Sequence, residues 1–257
     1  MRTRVYVDGL NLYYGALKGT AFRWLNLVEL VHQIIPAGHT IEKLLYFTAR
    51  VSGAPDPKAP ARQQVYLNAL ATLPEVEIHL GRFLVKTAWW PLTNLPVADR
   101  SITTPDPVVL PEGVHPVADS GNPQMLPVGH YPTYGPGKKN KRKTVKLPPK
   151  AVIAQVNMKE EKGSDVNLSV HLLNDAWKEL FDVAVVITND TDLVTPIRMV
   201  AMERSKPVFV ICPGRRRIAP QLDRVASRVW HTRPAMLKAA QFPNCLPNTT
   251  ISKPASW

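Results

Sequence analysis

Apolar and polar residues along this chain fall into two alternating kinds of block. Residues 4–8 (RVYVD) make a short apolar run that ends in Asp8-Gly9. Residues 43–51 (KLLYFTARV) and 76–85 (VEIHLGRFLV) have the same strand character. Residues 181–188 (FDVAVVIT) and 207–211 (PVFVI) are continuous apolar runs, as expected of strands covered on both faces. Between these runs the period changes to that of a helix. One helix starts at Leu10. In residues 26–35, Leu27, Leu30, Val31 and Ile34 share a face, and in 60–73 Val65, Leu67, Leu70 and Leu73 are apolar. Further helices are predicted over 164–180, 193–203 and 217–226. Residues 152–158 read as a strand or an extended lead-in, and 228–231 as a last short strand. Strands alternating with helices require crossover connections. The expected fold is therefore α/β: a mostly parallel, doubly wound sheet flanked by helices.

One window breaks the pattern. Twelve of the 25 prolines lie between Lys86 and Lys150, with no helical period and few β-branched runs. The predicted organisation is a first α/β part at 1–85, a Pro-rich insertion at 86–150, a second α/β part at 151–233 and a C-terminal tail at 234–257. The insertion closes on GKKNKRKTVKLPPK, which has seven basic residues from Lys138 to Lys150 and no acid. More than half of the net charge of +12 is therefore local.

Composition narrows the class. Hydrophobic residues make up 45% and charged residues 20% of the 257, which is globular composition. Thirty-two Lys and Arg against 20 Asp and Glu favour a polyanionic partner. Two cysteines, Cys212 and Cys245, exclude a disulfide scaffold and a Cys-based zinc site. No apolar run approaches the roughly 18 residues that span a bilayer, and the N-terminus lacks the apolar core of a signal peptide. A cytoplasmic protein with no membrane partner is expected. The insertion leaves room for a protein partner or a homo-oligomer.

Candidate chemistry gathers at the strand ends, where open α/β sheets form their sites. The first strand ends at Asp8, with Asn11 three residues on. Thr188-Asn189-Asp190-Thr191-Asp192 follows the strand at 181–188, and Lys162-Gly163-Ser164-Asp165 opens a helix. Singly, each reads as a turn or an N-cap. Together, four carboxylates at one sheet edge repel one another unless a cation neutralises them, and oxygen-only ligands suit Mg²⁺ or Mn²⁺. One or two such cations orient a phosphodiester and activate water. With the basic charge, this points to hydrolysis of nucleic acid.

The segments VDGLNLYYG, EKGSDVNLSVHLL and VVITNDTDLVTPIRMV resemble the NYN domain, the LabA-like branch of the PIN-like ribonuclease superfamily. The resemblance covers about 3–51 and 160–230 and leaves the insertion out. It implies a compact parallel α/β fold and a metal-dependent nuclease acting on RNA. Asp8 and Asn11 match the family's first-strand pair, Asp165 the acidic residue of the central helix, and Asp190 and Asp192 the paired aspartates after the fourth strand. Thr188 matches the hydroxyl residue before them. Where many family members have a further aspartate, this chain has Val170 and His171.

The expectation is then a Mg²⁺- or Mn²⁺-dependent ribonuclease. Its catalytic residues would be Asp8, Asn11, Asp165, Asp190 and Asp192; its metal ligands the four aspartates; and Thr188 would support them. An RNA-binding or regulatory module with little cleavage is the alternative, and DNA remains open as a substrate. Phosphate contacts are expected from Lys138, Lys139, Lys141, Arg142, Lys143, Lys162, Arg215, Arg216 and Arg217. Trp89, Trp90, Tyr131 and Tyr134 either stack on bases or anchor the insertion.

Overall fold

In the computed structural model, the elements run in the order β1 (Arg2–Asp8), α1 (Gly9–Leu12), α2 (Leu27–His32), β2 (Thr40–Ala49), α3 (Ala59–Leu70), β3 (Val76–Leu92), β4 (Val152–Lys162), α4 (Ser164–Trp177), β5 (Val183–Ile187), α5 (Val194–Glu203), β6 (Val208–Cys212), α6 (Pro220–Val225), β7 (Arg228–His231) and α7 (Pro234–Ala239). The structure describes residues 1–53, 56–92, 114–116, 124–125 and 152–255. The chain divides into one unit of Met1–Phe83 with Glu161–Trp257 and a second of Leu84–Glu160. In the second unit, Val114–Pro116 and Gln124–Met125 pair antiparallel with β4.

In the first unit the strands lie in the order β3-β2-β1-β5-β6-β7, with every neighbouring pair parallel. The expected α/β architecture is the observed one. The chain winds outward from β1 in one direction through β2 and β3, then returns to β1's other side and winds away through β5, β6 and β7. The crevice therefore opens beyond the carboxyl ends of β1 and β5, where the strand order reverses.

The alternation of side chains along β1 builds both layers. Val5 and Val7 face one core, with Leu44, Val185, Ile187 and Ile211, covered by Leu27 and Leu30 of α2 and Leu67 and Leu70 of α3. Tyr6 faces the other, with Phe47, Val186 and Val210, covered by Leu168 and Leu172 of α4, Ile197 of α5 and Leu222 of α6. Tyr6 carries a polar group into that core, and its hydroxyl donates to Asp175 Oδ2 at 2.8 Å. Arg4 donates to the same oxygen at 2.8 Å, so the buried carboxylate is paired.

Three local differences from the sequence expectation have identifiable causes. The helix starting at Leu10 is only α1, after which the backbone widens into a π turn at Tyr13–Leu17. Helix α4 stops at Trp177 rather than at 180, because Glu179 takes a left-handed φ of 56° and Leu180 bonds back to the Asp175 carbonyl. The segment expected as a C-terminal tail packs on the core. Leu237 of α7, Phe242 and Leu246 are buried in the first core, and Trp24 donates from Nε1 to the Pro243 carbonyl at 2.9 Å. Among the described residues, no helix is long and apolar enough to cross a membrane.

Candidate carboxylate site

Asp8 is the last residue of β1 and the N-cap of α1. Its extended backbone turns Oδ1 onto the Asn11 N–H at 2.9 Å. Its other oxygen accepts from the Thr188 hydroxyl at 3.1 Å, and that hydroxyl accepts the Asp190 N–H at 3.0 Å. Thr188 is fully buried just past the end of β5. Asp190 then caps the short 3₁₀ turn Thr191–Leu193, with Oδ1 accepting the Asp192 N–H at 3.0 Å. On the third side, Gly163 adopts a φ of 102°, a conformation that favours glycine, and the chain turns sharply into α4. Asp165 sits in the first turn of α4, where the helix dipole favours a carboxylate.

Asn11 and Asn189 lock this edge together. Asn11 Oδ1 accepts the Asn189 N–H at 2.9 Å. The Asn189 side chain donates to the Arg217 carbonyl at 3.2 Å and accepts the Ala219 N–H at 2.8 Å. The loop after β5 is thereby tied both to α1 and to the arginine-bearing loop after β6.

The result is a convergence of Asp8, Asp165 and Asp190, each offering one oxygen within 4.8 Å of the others. They line a cleft of about 390 Å³, with Asn11, Glu161 and Arg216 also in its walls. Burial pushes the Asp8 carboxyl up to about 7. The Asn11 N–H and the Thr188 hydroxyl oppose the rise, while the charges of Asp165 and Asp190 add to it. Burial likewise raises Asp165 to about 6, helped by Asp190, Glu161 and Asp192. Asp8 and Asp165 can therefore exchange protons near neutral pH, and the spacing of the trio also suits a hard cation.

Of the residues expected at the site, Asp8, Asn11, Thr188, Asp165 and Asp190 come together. Asp192 is exposed and lies outside the trio, reaching it through its own N–H and its charge on Asp165. Arg216 reaches the cleft wall from an exposed loop; Arg215, Arg217 and Lys162 are exposed and are not among the cleft's lining residues. Lys138, Lys139, Lys141, Arg142 and Lys143 lie outside the described residues. The sequence reading passed over Asn189 and Glu161. Both sit inside the segments that carried the aspartates, where each reads as a solvated neighbour.

No family model matches this chain, so the NYN resemblance rests on its motifs alone. Along its whole length the chain is similar to 6-hydroxy-3-succinoylpyridine 3-monooxygenase HspA of Pseudomonas putida (strain DSM 28022 / S16). The two are 28% identical over 280 aligned positions that cover 75% of that protein. A crystal structure of a protein of unknown function, VPA0982 from Vibrio parahaemolyticus RIMD 2210633, is 12% identical with a TM-score of 0.45. It covers 91% of this chain and 93% of its own, and the likeness is too slight to carry an argument.

The named relative is an enzyme, but of another kind than the sequence reading expected. This corrects the expected ribonuclease activity, its alternative of an RNA-binding or regulatory module, and the hydrolytic Mg²⁺ or Mn²⁺. Carboxylates at a sheet edge and a basic insertion are compatible with phosphodiester hydrolysis without requiring it. Monooxygenation runs instead on dioxygen and an electron donor, through groups such as flavin, haem, copper or non-haem iron.

Proposed function

We propose that this chain is an oxidoreductase that places one oxygen atom from dioxygen on a small aromatic substrate whose ring hydroxyl faces the Asp8 cleft. The observation that carries this reading is the end-to-end similarity to a protein named as a monooxygenase of a hydroxypyridine. The reaction consumes dioxygen and a two-electron reductant, for which reduced nicotinamide is the natural co-substrate. One oxygen atom enters the ring and the other leaves as water.

Among the described residues no histidine lines the cleft, so their donor set does not fit an iron held by two histidines and a carboxylate. The chain's own contribution is proton handling and orientation. Asp8 and Asp165 hold carboxyl groups that exchange protons near neutral pH. Either can take the proton of a ring hydroxyl, which enriches the ring for attack by an electrophilic oxygen. Thr188 and the Asn11 N–H fix the Asp8 carboxyl while it does so. Arg216 offers a positive charge in the cleft wall.

The test is oxygen consumption by the purified chain with reduced nicotinamide, added flavin and 6-hydroxypyridine-3-carboxylate, followed by mass spectrometry under ¹⁸O₂. Oxygen uptake that depends on the pyridine, with a single labelled atom in the product, is expected. A folded protein that takes up no oxygen and labels no product across hydroxypyridine and hydroxybenzoate acids would end this reading.

A further inference from the structure

A second cavity, of about 140 Å³, adjoins the carboxylate cleft, and Leu10 and Tyr14 line both. The two cavities have opposite character. The cleft walls carry Asp8, Glu161, Asp165 and Asp190. Among the described residues the second cavity has no acidic residue in its lining, but has Tyr13, Tyr46, Tyr66 and Phe83 together with Arg23 and Arg62. Its walls are held in place. The Tyr66 hydroxyl donates to the Leu25 carbonyl at 2.9 Å, and the Tyr46 and Tyr66 rings meet edge to face with centroids 6.3 Å apart. Gln63 clips α3 to the end of β2, donating to the Ala49 carbonyl at 2.8 Å and accepting the Val51 N–H at 2.9 Å.

From this we infer that the second cavity is a binding slot for a planar aromatic ring bearing a carboxylate tail, with the ring against the tyrosines and the tail on Arg62. Size, shape and charge each bear on that assignment. An apolar cavity of roughly 150 Å³ accepts a benzene ring. Aromatic walls prefer a flat ring, which meets them edge to face or offset. A carboxylate is repelled by the acidic cleft next door and attracted by the arginines here.

Arg62 already pairs with Asp56, whose side chain is about half exposed at 47%. The Arg62 side chain itself is only 18% exposed, and a guanidinium has five donors, so a second carboxylate can join the pair from the slot. The slot's role as a substrate subsite rests on the oxygenase reading above; the binding itself does not.

Binding is measured without reductant, by calorimetry and saturation-transfer NMR. The probes are 6-hydroxypyridine-3-carboxylate, 2-hydroxypyridine (ring without acid) and adipate (acid without ring). The first is expected to bind at least about tenfold more tightly than either of the others. Ala59→Phe, which fills the slot from the start of α3, should abolish ring binding. Arg62→Gln should weaken the aromatic acid by about tenfold and leave 2-hydroxypyridine unchanged. A thermal melt checks that each variant is folded. If Ala59→Phe does not fold, the two-probe comparison in Arg62→Gln decides alone.

Equal affinity for the acid and the acid-free ring, undiminished binding in Ala59→Phe, or no binding at millimolar probe overturns the slot. Because no turnover is involved, slot binding can succeed where oxygen uptake fails, and the reverse.

Discussion

The Thr188 hydroxyl donates to Asp8 Oδ2 at 3.1 Å across 180 positions of sequence, while its oxygen accepts the Asp190 N–H at 3.0 Å. One buried hydroxyl thus sets the carboxyl of one strand end and the backbone of the next. Thr188→Val keeps the shape and removes both bonds. It should cost about 1–3 kcal/mol, because two polar groups lose their partner. Urea denaturation measures this, and a loss below a few tenths would mean that water replaces the hydroxyl.

The pH dependence of stability follows from Asp8. Its folded-state carboxyl titrates at about 7 against an ordinary 3.8, so between those values the folded chain binds more protons than the unfolded one. Stability is therefore fully present below about pH 4 and is lost as pH rises through 7. Asp165, raised to about 6, acts in the same direction. Asp8→Asn removes the larger effect and should be about 2–4 kcal/mol more stable than the parent at pH 8, with little gain near pH 4. Melting both proteins across that range checks it; a gap that does not widen with pH contradicts the shift.

Asp175 is the hub of the buried polar network. Asp175→Ala leaves the Arg4 guanidinium and the Tyr6 hydroxyl without their carboxylate. Removing one partner of a buried pair costs about 3–5 kcal/mol. The double variant with Arg4→Met should recover part of that loss in chemical denaturation, and a purely additive result would show that the two do not interact.

Gly9 sits where the backbone leaves β1. A Cβ there would stand 2.7 Å from the Phe47 carbonyl oxygen and 2.8 Å from the Tyr46 ring. Gly9→Ala should lower stability by about 1–3 kcal/mol through this overpacking. It should also distort the aromatic slot, since Gly9 and Tyr46 both line it. A melting point equal to the parent's would show that β2 yields without cost.

How far the chain could be read in advance depends on how local each signal is. The strands β5 and β6 are legible because burial on both faces leaves unbroken apolar runs. Asp8, Asp165 and Asp190 are legible as a group because a parallel sheet sends its carboxyl ends to one edge. Asn189 is not, since its two bonds to Arg217 and Ala219 depend on where the loop after β6 falls. Helix α7 is six residues long, too short to show a period, and it packs against α2, over 200 positions away. Asp192 looked equivalent to Asp190, yet the 3₁₀ turn between them leaves it out of the trio. The reaction itself had no local signature, because a cluster of carboxylates names no chemistry until a substrate is set beside it.

The placement of β1 between β2 and β5 also sets when the cleft comes into being. Asp8 lies before the long insertion, and Asp165 and Asp190 lie after it. During synthesis, β1 and β2 leave the ribosome well ahead of β5, and contacts of such long sequence separation form slowly. In that interval Asp8 is an ordinary hydrated carboxyl with no neighbour to raise it. When β5 docks near neutral pH, the edge closes over it and the folding chain takes up protons from solution. The birth of the cleft is thus an event that a pH-indicator dye can time, independently of any substrate.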